Sequence, residues 1–210
     1  FSELSKYTKY ADLTAKACIC NGTAAISANG KAIGGNSTER ALVSFAAPVY
    51  KKLSAIGKEK TVPFDSAKKY SWARLDDGTV FIKGAPEKLL PKCTGFYDKN
   101  GKYQKGVPAI LWEKLSEMTA DSMRVLLLAE ADRDFDERNA KLTLIALVGI
   151  RDSLRPEAKK AVETVRRAGI QTVMITGDNK ETAVAIAKEC GILKSDNDSG
   201  VYDRYELEKM

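Results

Sequence analysis

The segment Thr79–Leu90, TVFIKGAPEKLL, carries more structural information than any other part of this chain. Its first four residues favour a strand, and the Ala-Pro-Glu after Gly84 begins a helix, because proline costs no hydrogen bond in a first helical turn. Glu87 complements the positive end of that helix. Lys83 therefore ends a strand, and Gly84 lets another group approach the backbone. A lysine held there provides a point charge for a phosphate chain, and the alternative is an ordinary surface lysine.

Two strands are predicted before this segment, over Lys60–Asp65 and Tyr70–Leu75. Asp-Asp-Gly at 76–78 predicts a tight turn into the next strand, so the three strands form an antiparallel sheet. Phe64 ends the first strand, and Lys69 follows five residues later. An aromatic face beside lysines can hold a planar base and its phosphates. The simpler alternative is a core phenylalanine followed by a solvated basic turn.

A helix is predicted from the segment GGNSTERAL, Gly34–Leu42, onwards. Ser37 or Thr38 would cap this helix, and Glu39 would lie in its first turn. A favourable first-turn charge is the simplest explanation of Glu39. The functional alternative is a hydrogen-bond acceptor that faces a ligand.

The remaining segments before residue 140 complete an α+β domain. Apolar residues at helical spacing predict helices over Ser5–Cys20 and Pro108–Ser122, and Arg124–Ala131 is predicted to be a strand. The polar, glycine-containing segment Cys93–Val107 is predicted to be a loop. Residues 1–140 are therefore expected to form an antiparallel sheet with flanking helices.

The pattern changes after Ala140, where we place a domain boundary. Strand and helix predictions now alternate along the chain, over Leu142–Ile150, Pro156–Ala168, Gln171–Ile175 and Asn179–Cys190. Alternation of this length predicts a parallel sheet with right-handed crossovers. Residues 141–210 are therefore expected to form a partial α/β domain of Rossmann-like type.

Two segments leave the carboxyl ends of these predicted strands, where open α/β sheets bind their ligands. Asp152 follows the first strand and is a candidate for a charge relay or for the neighbourhood of a metal, or else a capping residue. After the second strand, Thr176 offers a hydroxyl, Gly177 allows close approach, and the helix start offers free N–H groups for a phosphate. Asp178 repels a phosphate unless a lysine or Mg²⁺ lies between them, so a capping role is the alternative.

Composition excludes several classes of protein. With 44% hydrophobic and 30% charged residues the chain is typical of a globular protein, and no apolar run approaches the length of a membrane span. A net charge of +6 suits a polyanionic ligand but is too scattered to indicate nucleic acid. The absence of histidine excludes histidine catalysis and His-containing metal sites, and the four cysteines indicate reduced thiols in a cytosolic protein, so no metal site is predicted. A first residue that is Phe indicates an excised fragment.

Three motifs in this order make the chain similar to the cytosolic part of P-type ion-pumping ATPases, most closely of the calcium-pump branch: KGAPE at 83–87, IRDSLRP at 150–156 and MITGDN at 174–179. The resemblance implies a nucleotide-binding (N) domain over residues 1–140, inserted into a haloacid-dehalogenase-like phosphorylation (P) domain to which residues 141–210 belong. It also implies ATP and Mg²⁺ as cofactors, and an aspartyl-phosphate that drives cation transport, with calcium as the cation.

The resemblance further implies roles for individual residues. Phe64 would stack on adenine and Glu39 would meet the edge of the base. The residues implied to line the nucleotide pocket or contact the phosphates are Lys69, Lys83, Gly84 and Arg124. The residues implied to act around the transferred phosphate or in the loop that meets the nucleotide on closure are Asp152, Arg155, Thr176, Gly177 and Asp178.

Two motifs of that family are missing from the chain, namely the DKTGT that holds the phosphorylated aspartate and the TGDGxND metal loop. The resemblance therefore implies a soluble fragment, inactive alone, from the cytosolic side of an integral membrane protein. Its partners would be the transmembrane, actuator and remaining phosphorylation parts of the same chain. Two alternatives are a free-standing haloacid-dehalogenase-like phosphatase, with the antiparallel region as its cap, and a nucleotide-sensing module without a catalytic role.

Overall fold

A computed structural model describes residues 3–49, 55–120, 123–132, 135–138, 140–151, 154–176, 180–194 and 200–209. The chain divides into two compact units, and each is described here separately. Unit 1 comprises Phe1–Leu115 and Val125–Ile150, and unit 2 comprises Ser116–Arg124 and Arg151–Met210. Among the described residues, no helix combines the length and apolar character needed to cross a bilayer.

The strands form a mixed seven-stranded sheet, with the order β3-β4-β5-β8-β9-β6-β7, and a separate β1-β2 hairpin. Their bounds are β1 Ala25–Ile26, β2 Ala32–Ile33, β3 Lys58–Asp65, β4 Tyr70–Leu75, β5 Val80–Gly84, β6 Cys93–Tyr97, β7 Tyr103–Lys105, β8 Arg124–Ala131 and β9 Leu142–Ile150. Strands β3, β4, β5 and β8 pair in antiparallel fashion, which confirms the predicted three-stranded arrangement and extends it by one strand.

The helices agree with the predicted ones to within a few residues at most ends. Their bounds are α1 Thr8–Cys20, α2 Ser37–Phe45, α3 Pro86–Leu89, α4 Ile110–Ala120, α5 Ala158–Arg167, α6 Lys180–Glu189 and α7 Arg204–Leu207. Short 3₁₀ turns are present at Leu4–Lys6, Ala47–Val49 and Leu90–Lys92. Pro86 lies at the start of α3 and Glu87 in its first turn, as the sequence predicted.

The two faces of the sheet support two hydrophobic cores. On one face α1 and α2 pack with Phe81, Leu128 and Ile145, which are buried. On the other face Trp72 and Leu127 pack with the turn after β5 and with partly buried residues of α4. The sheet is therefore covered on both sides, which explains why β5 is buried along its whole length.

The prediction of a loop over Cys93–Val107 is wrong. Strands β6 and β7 pair there as an antiparallel hairpin, with Gly95 opposite Lys105. Strand β7 lies at the edge of the sheet and is exposed throughout. An exposed edge strand carries polar residues on both faces, so its composition resembles that of a loop.

The strand predicted over Leu142–Ile150 is present, but its place differs from the expected one. It lies between β8 and β6 and pairs with β6 in parallel, from Cys93 opposite Leu142 onwards. Unit 1 therefore continues through Ile150, ten residues beyond the boundary expected near Ala140. A continuous apolar run indicates a strand covered on both faces and does not reveal which sheet it joins.

In unit 2 the predicted helices are present, but the strand predicted over Gln171–Ile175 is not. Residues 171–176 make no strand pairing among the described residues, and the side chains of Val173 and Ile175 are 70% and 93% exposed. An isolated strand leaves its backbone groups unpaired and is not stable without a neighbour. The described part of unit 2 therefore does not form the parallel sheet expected of a haloacid-dehalogenase-like domain.

Candidate functional site

Lys83 at the end of β5 is a buried lysine, with 5% of its surface exposed. Its ammonium donates a hydrogen bond to the carbonyl oxygen of Asn21 and lies 3.8 Å from Oε1 of Glu39. Asn21 is held in turn, because its Nδ2 donates to the carbonyl oxygens of Ser71 at 2.8 Å and Phe81 at 3.4 Å. A buried charge is costly unless it is paired and hydrogen-bonded, and these contacts hold the Lys83 ammonium in one position.

Glu39 is placed by the start of helix α2. The N-cap is Asn36, whose Oδ1 accepts a hydrogen bond from the backbone N–H of Glu39 at 2.9 Å, so the predicted caps at Ser37 or Thr38 are wrong by one or two residues. Oε2 of Glu39 accepts from the N–H and the hydroxyl of Thr23, at 3.2 and 3.1 Å. These bonds leave Oε1 directed at Lys83.

Two acidic groups near Lys83, the Glu39 carboxyl and the Cys18 thiol, differ in how they affect its charge. Burial lowers the pKa of Lys83, and the carboxylate of Glu39 opposes this most strongly, with Cys18 next. Burial raises the pKa of Cys18 to about 12, although the nearby Lys83 lowers it. Cys18 is therefore a neutral thiol at pH 7, so Glu39 is the anion that balances Lys83.

Two glycines make room for the carboxylate of Glu39. A Cβ on Gly22 would lie 3.2 Å from both Nζ of Lys83 and Cδ of Glu39. A Cβ on Gly35 would lie 2.4 Å from Oε2 of Glu39, and Gly35 has φ +53, a conformation that favours glycine.

Phe64 is 55% exposed at the end of β3, which excludes its alternative reading as a core residue. The basic turn after it is ordered by Asp65, whose carboxylate accepts from the N–H groups of Ala67 at 2.7 Å and Lys68 at 2.9 Å. Those backbone hydrogen bonds, that from Lys68 first, hold the pKa of Asp65 below its usual value. An exposed aromatic ring on an ordered turn is available to stack with a planar ligand.

Lys69 and Gly84 meet where β4 and β5 pair. Lys69 adopts φ +63, and its ammonium is 3.1 Å from Oε1 of Glu87. A Cβ on Gly84 would lie 2.4 Å from the carbonyl oxygen of Lys69 and 2.5 Å from Cβ of Tyr70. The expectation that Gly84 lets a ligand approach is therefore corrected, because the space beside it is filled by the neighbouring strand.

The structure brings together only part of the predicted set. Arg124, Arg155 and Thr176 are exposed and belong to unit 2. Asp152, Gly177 and Asp178 lie outside the described residues. No group of three or more Cys, Asp or Glu side chains in the described part of the chain is placed to hold a metal ion.

The sequence did not indicate the residues that surround Lys83 and its partner Glu39, namely Asn21, Gly22, Thr23 and Ser71. Asn-Gly at 21–22 is a local turn signal, but the partners that Asn21 bonds on β4 and β5 lie fifty or more residues away. Lys83 and Glu39 together offer a buried cation and an oriented carboxylate. Phe64 offers an exposed aromatic ring and Lys69 an exposed ammonium.

Comparison with known proteins gives a consistent result. The family described as "P-type ATPase, cytoplasmic domain N" matches residues 9–157. The chain is 38% identical over 179 residues to "Probable calcium-transporting ATPase 8, plasma membrane-type" of Oryza sativa subsp. japonica, covering 77% of this chain and 18% of the relative. It is 35% identical over 188 residues to "Plasma membrane calcium-transporting ATPase 3" of Homo sapiens, covering 78% of this chain and 15% of the relative. The chain thus spans less than a fifth of the length of these relatives.

Proposed function

Because this chain belongs to the P-type ATPases, as their cytoplasmic domain N, we propose that unit 1 binds ATP at the group of residues around Lys83. Phe64 stacks on the adenine, Glu39 accepts a hydrogen bond from the edge of the base, and Lys83 and Lys69 provide positive charge. In the whole protein Arg124 would contact the phosphates. Gly84 supports this site from the β4–β5 pairing rather than by touching the ligand.

The observation that carries this proposal is the meeting of Lys83 and Glu39. They are far apart in the sequence, yet their charged groups lie 3.8 Å apart in a largely buried setting. A purely stabilising role does not account for this ion pair, because the cost of removing two charges from water offsets most of the stability that a buried pair contributes. A preformed cation and acceptor fit a purine nucleotide with its phosphates, and the exposed ring of Phe64 adds a surface for the base.

For the whole protein we propose an ATPase that transports calcium through an aspartyl-phosphate intermediate. The support is the set of relatives named as calcium-transporting ATPases and the order of the motifs at 83–87, 150–156 and 174–179. Residues 151–210 would belong to the phosphorylation domain, with Asp152, Arg155, Thr176, Gly177 and Asp178 near the transferred phosphate. Both domains would lie on the cytosolic side of a membrane protein.

Mg²⁺ would balance charge in the whole protein. The described residues hold no cluster of carboxylates suited to it. The remaining phosphorylation, actuator and transmembrane parts of the protein would provide the phosphorylated aspartate and the ion path.

Titration with ATP, followed by amide and side-chain NMR, tests the proposal. We expect the largest shifts at Phe64, Lys69 and Lys83, with weak affinity because part of the phosphate site is missing. Shifts confined to residues 151–210 would refute the proposed site.

Incubation with γ-labelled ATP and Mg²⁺ separates this reading from a free-standing phosphatase. We expect no acyl-phosphate and no phosphate release above background, because the chain has no DKTGT motif. A hydroxylamine-labile label that is lost in Asp152→Asn or Asp178→Asn would favour the phosphatase instead.

A further inference from the structure

Ser71 on β4 is the polar residue of the candidate site whose side chain has no assigned role. It is 3% exposed. Within the described part of the chain, its hydroxyl is the one buried side-chain polar atom without a hydrogen-bond partner. Such a group destabilises a protein when it is left unsatisfied in the interior. Unsatisfied buried groups are rare and call for a reason.

Ser71 lies directly opposite Lys83 in the β4–β5 ladder. Side chains of residues that oppose each other across an antiparallel pair stand on the same face of the sheet. The carbonyl oxygen of Ser71 accepts from Asn21, and the carbonyl oxygen of Asn21 accepts from Lys83. The side chains of Ser71 and Lys83 therefore leave the sheet side by side on one face.

The ammonium has hydrogen-bonding capacity to spare. It carries three donors, and of these the Asn21 carbonyl takes one. The separation of 3.8 Å from Glu39 is an ion-pair distance that is longer than a hydrogen bond. The Lys83 ammonium on β5 can thus donate further hydrogen bonds, and the Ser71 hydroxyl on the neighbouring strand β4 has no partner among the described residues.

We propose that Ser71 is a positioning residue, whose hydroxyl accepts a hydrogen bond from the Lys83 ammonium when a nucleotide is bound. This inference rests on the proposed function. A base that donates to Glu39 shares the oxygens of the carboxylate, and the Lys83 ammonium still has donors to spare in a nearly dry site. The hydroxyl of Ser71 accepts from one of them and fixes the direction of the ammonium.

The other groups that act on Lys83 do not replace this acceptor. Glu39 of α2 is engaged by the ligand, Cys18 of α1 is a neutral thiol, and Lys58 of β3 opposes the charge. A direct contact between the ligand and Ser71 is less suited to the geometry, because the hydroxyl is enclosed and the ligand would have to displace protein atoms to reach it.

Calorimetry of ATP binding to the 210-residue chain and its variants tests the role. Ser71→Ala and the near-isosteric Ser71→Cys are expected to weaken binding about ten- to hundredfold, the worth of one hydrogen bond to a charged group. Ser71→Thr keeps the hydroxyl and is expected to restore most of the affinity. The thermal stability of Ser71→Ala is expected to equal or exceed that of the parent chain, because an unsatisfied group has been removed.

Thr14→Ala is the matched control. Thr14 is also buried, but its hydroxyl donates to the carbonyl oxygen of Tyr10 at 2.8 Å. Its removal is expected to lower stability and to leave ATP affinity unchanged. A loss of affinity without a loss of stability is therefore specific to Ser71.

The pH profile of ATP affinity reports on Lys83. Affinity falls as Lys83 loses its proton, and an acceptor hydroxyl stabilises the charged form in the complex. The fall begins at the pKa of Lys83 in the free chain, which Ser71→Ala leaves unchanged. It is therefore expected to be shallower in Ser71→Ala, and the two affinities are expected to converge at alkaline pH. A ratio of affinities that stays constant from neutral to alkaline pH, or an unchanged affinity, would overturn the role of Ser71 alone. Failure of the parent chain to bind ATP would overturn the proposed function, and this inference with it.

Discussion

At the scale of single side chains, the candidate site contains a buried ion pair and an exposed aromatic ring. Lys83 and Glu39 are nearly withdrawn from water, so the position of each depends on neighbours that satisfy it. Phe64 is 55% exposed and depends little on its surroundings. A change at Phe64 therefore tests ligand binding with little disturbance of the fold.

Phe64→Ala is expected to weaken ATP and AMP about equally, by about 1–3 kcal/mol if the base stacks on this ring. The free energy of unfolding is expected to stay within about 0.5 kcal/mol of the parent value, because an exposed side chain contributes little to the core. Calorimetry and urea denaturation measure the two quantities. Tyr103→Ala removes an aromatic ring of similar exposure, 52%, from the edge strand β7 and is expected to leave affinity unchanged. Unchanged binding with lost stability in Phe64→Ala would assign the ring to the fold.

Among the helices and strands, α2 links stability to the site, since its first turn carries Glu39. Asn36 caps that turn by accepting from the N–H of Glu39. Asn36→Ala is expected to cost about 0.5–2 kcal/mol of stability and to weaken ATP binding as the helix start frays. Asn36→Ser retains a capping oxygen and is expected to recover both. Stability lost at full ATP affinity would show that Glu39 keeps its place without the cap.

For the chain as a whole, the place of β9 predicts how far unit 1 extends. Leu142, Leu144 and Ile145 of β9 are buried in the two cores. Loss of large buried side chains costs about 2–5 kcal/mol each, and a typical domain is stable by about 5–15 kcal/mol. A chain of residues 1–150 is therefore expected to unfold cooperatively and to bind ATP, whereas residues 1–140 are not expected to fold.

Circular dichroism, urea unfolding and ATP titration compare the two truncations with the 210-residue chain. Equal folding and binding by residues 1–140 would show that β9 is dispensable and would restore the boundary expected near Ala140. Loss of folding in both truncations would show that unit 1 needs residues 151–210.

Local patterns were sufficient for most elements of unit 1. The alternation at 79–82 and the proline at 86 determined a strand, a turn and a helix start, because these depend on neighbours in the sequence. The three motifs at 83–87, 150–156 and 174–179 were sufficient for the family. The loop predicted from local polarity was wrong at β7, because this exposed edge strand has the composition of a loop.

The sequence alone thus determined the strands β3 to β5, the helices around them and the identity of Lys83, Glu39 and Phe64 as candidates. Only the tertiary structure decided that β9 joins the first sheet, that Gly84 faces its own neighbouring strand, and that Asn21 and Ser71 surround Lys83. The physical reason is the separation in sequence over which each effect acts. Propensity and turn chemistry act between residues close in sequence, whereas burial, charge compensation and strand order depend on contacts between residues far apart in it.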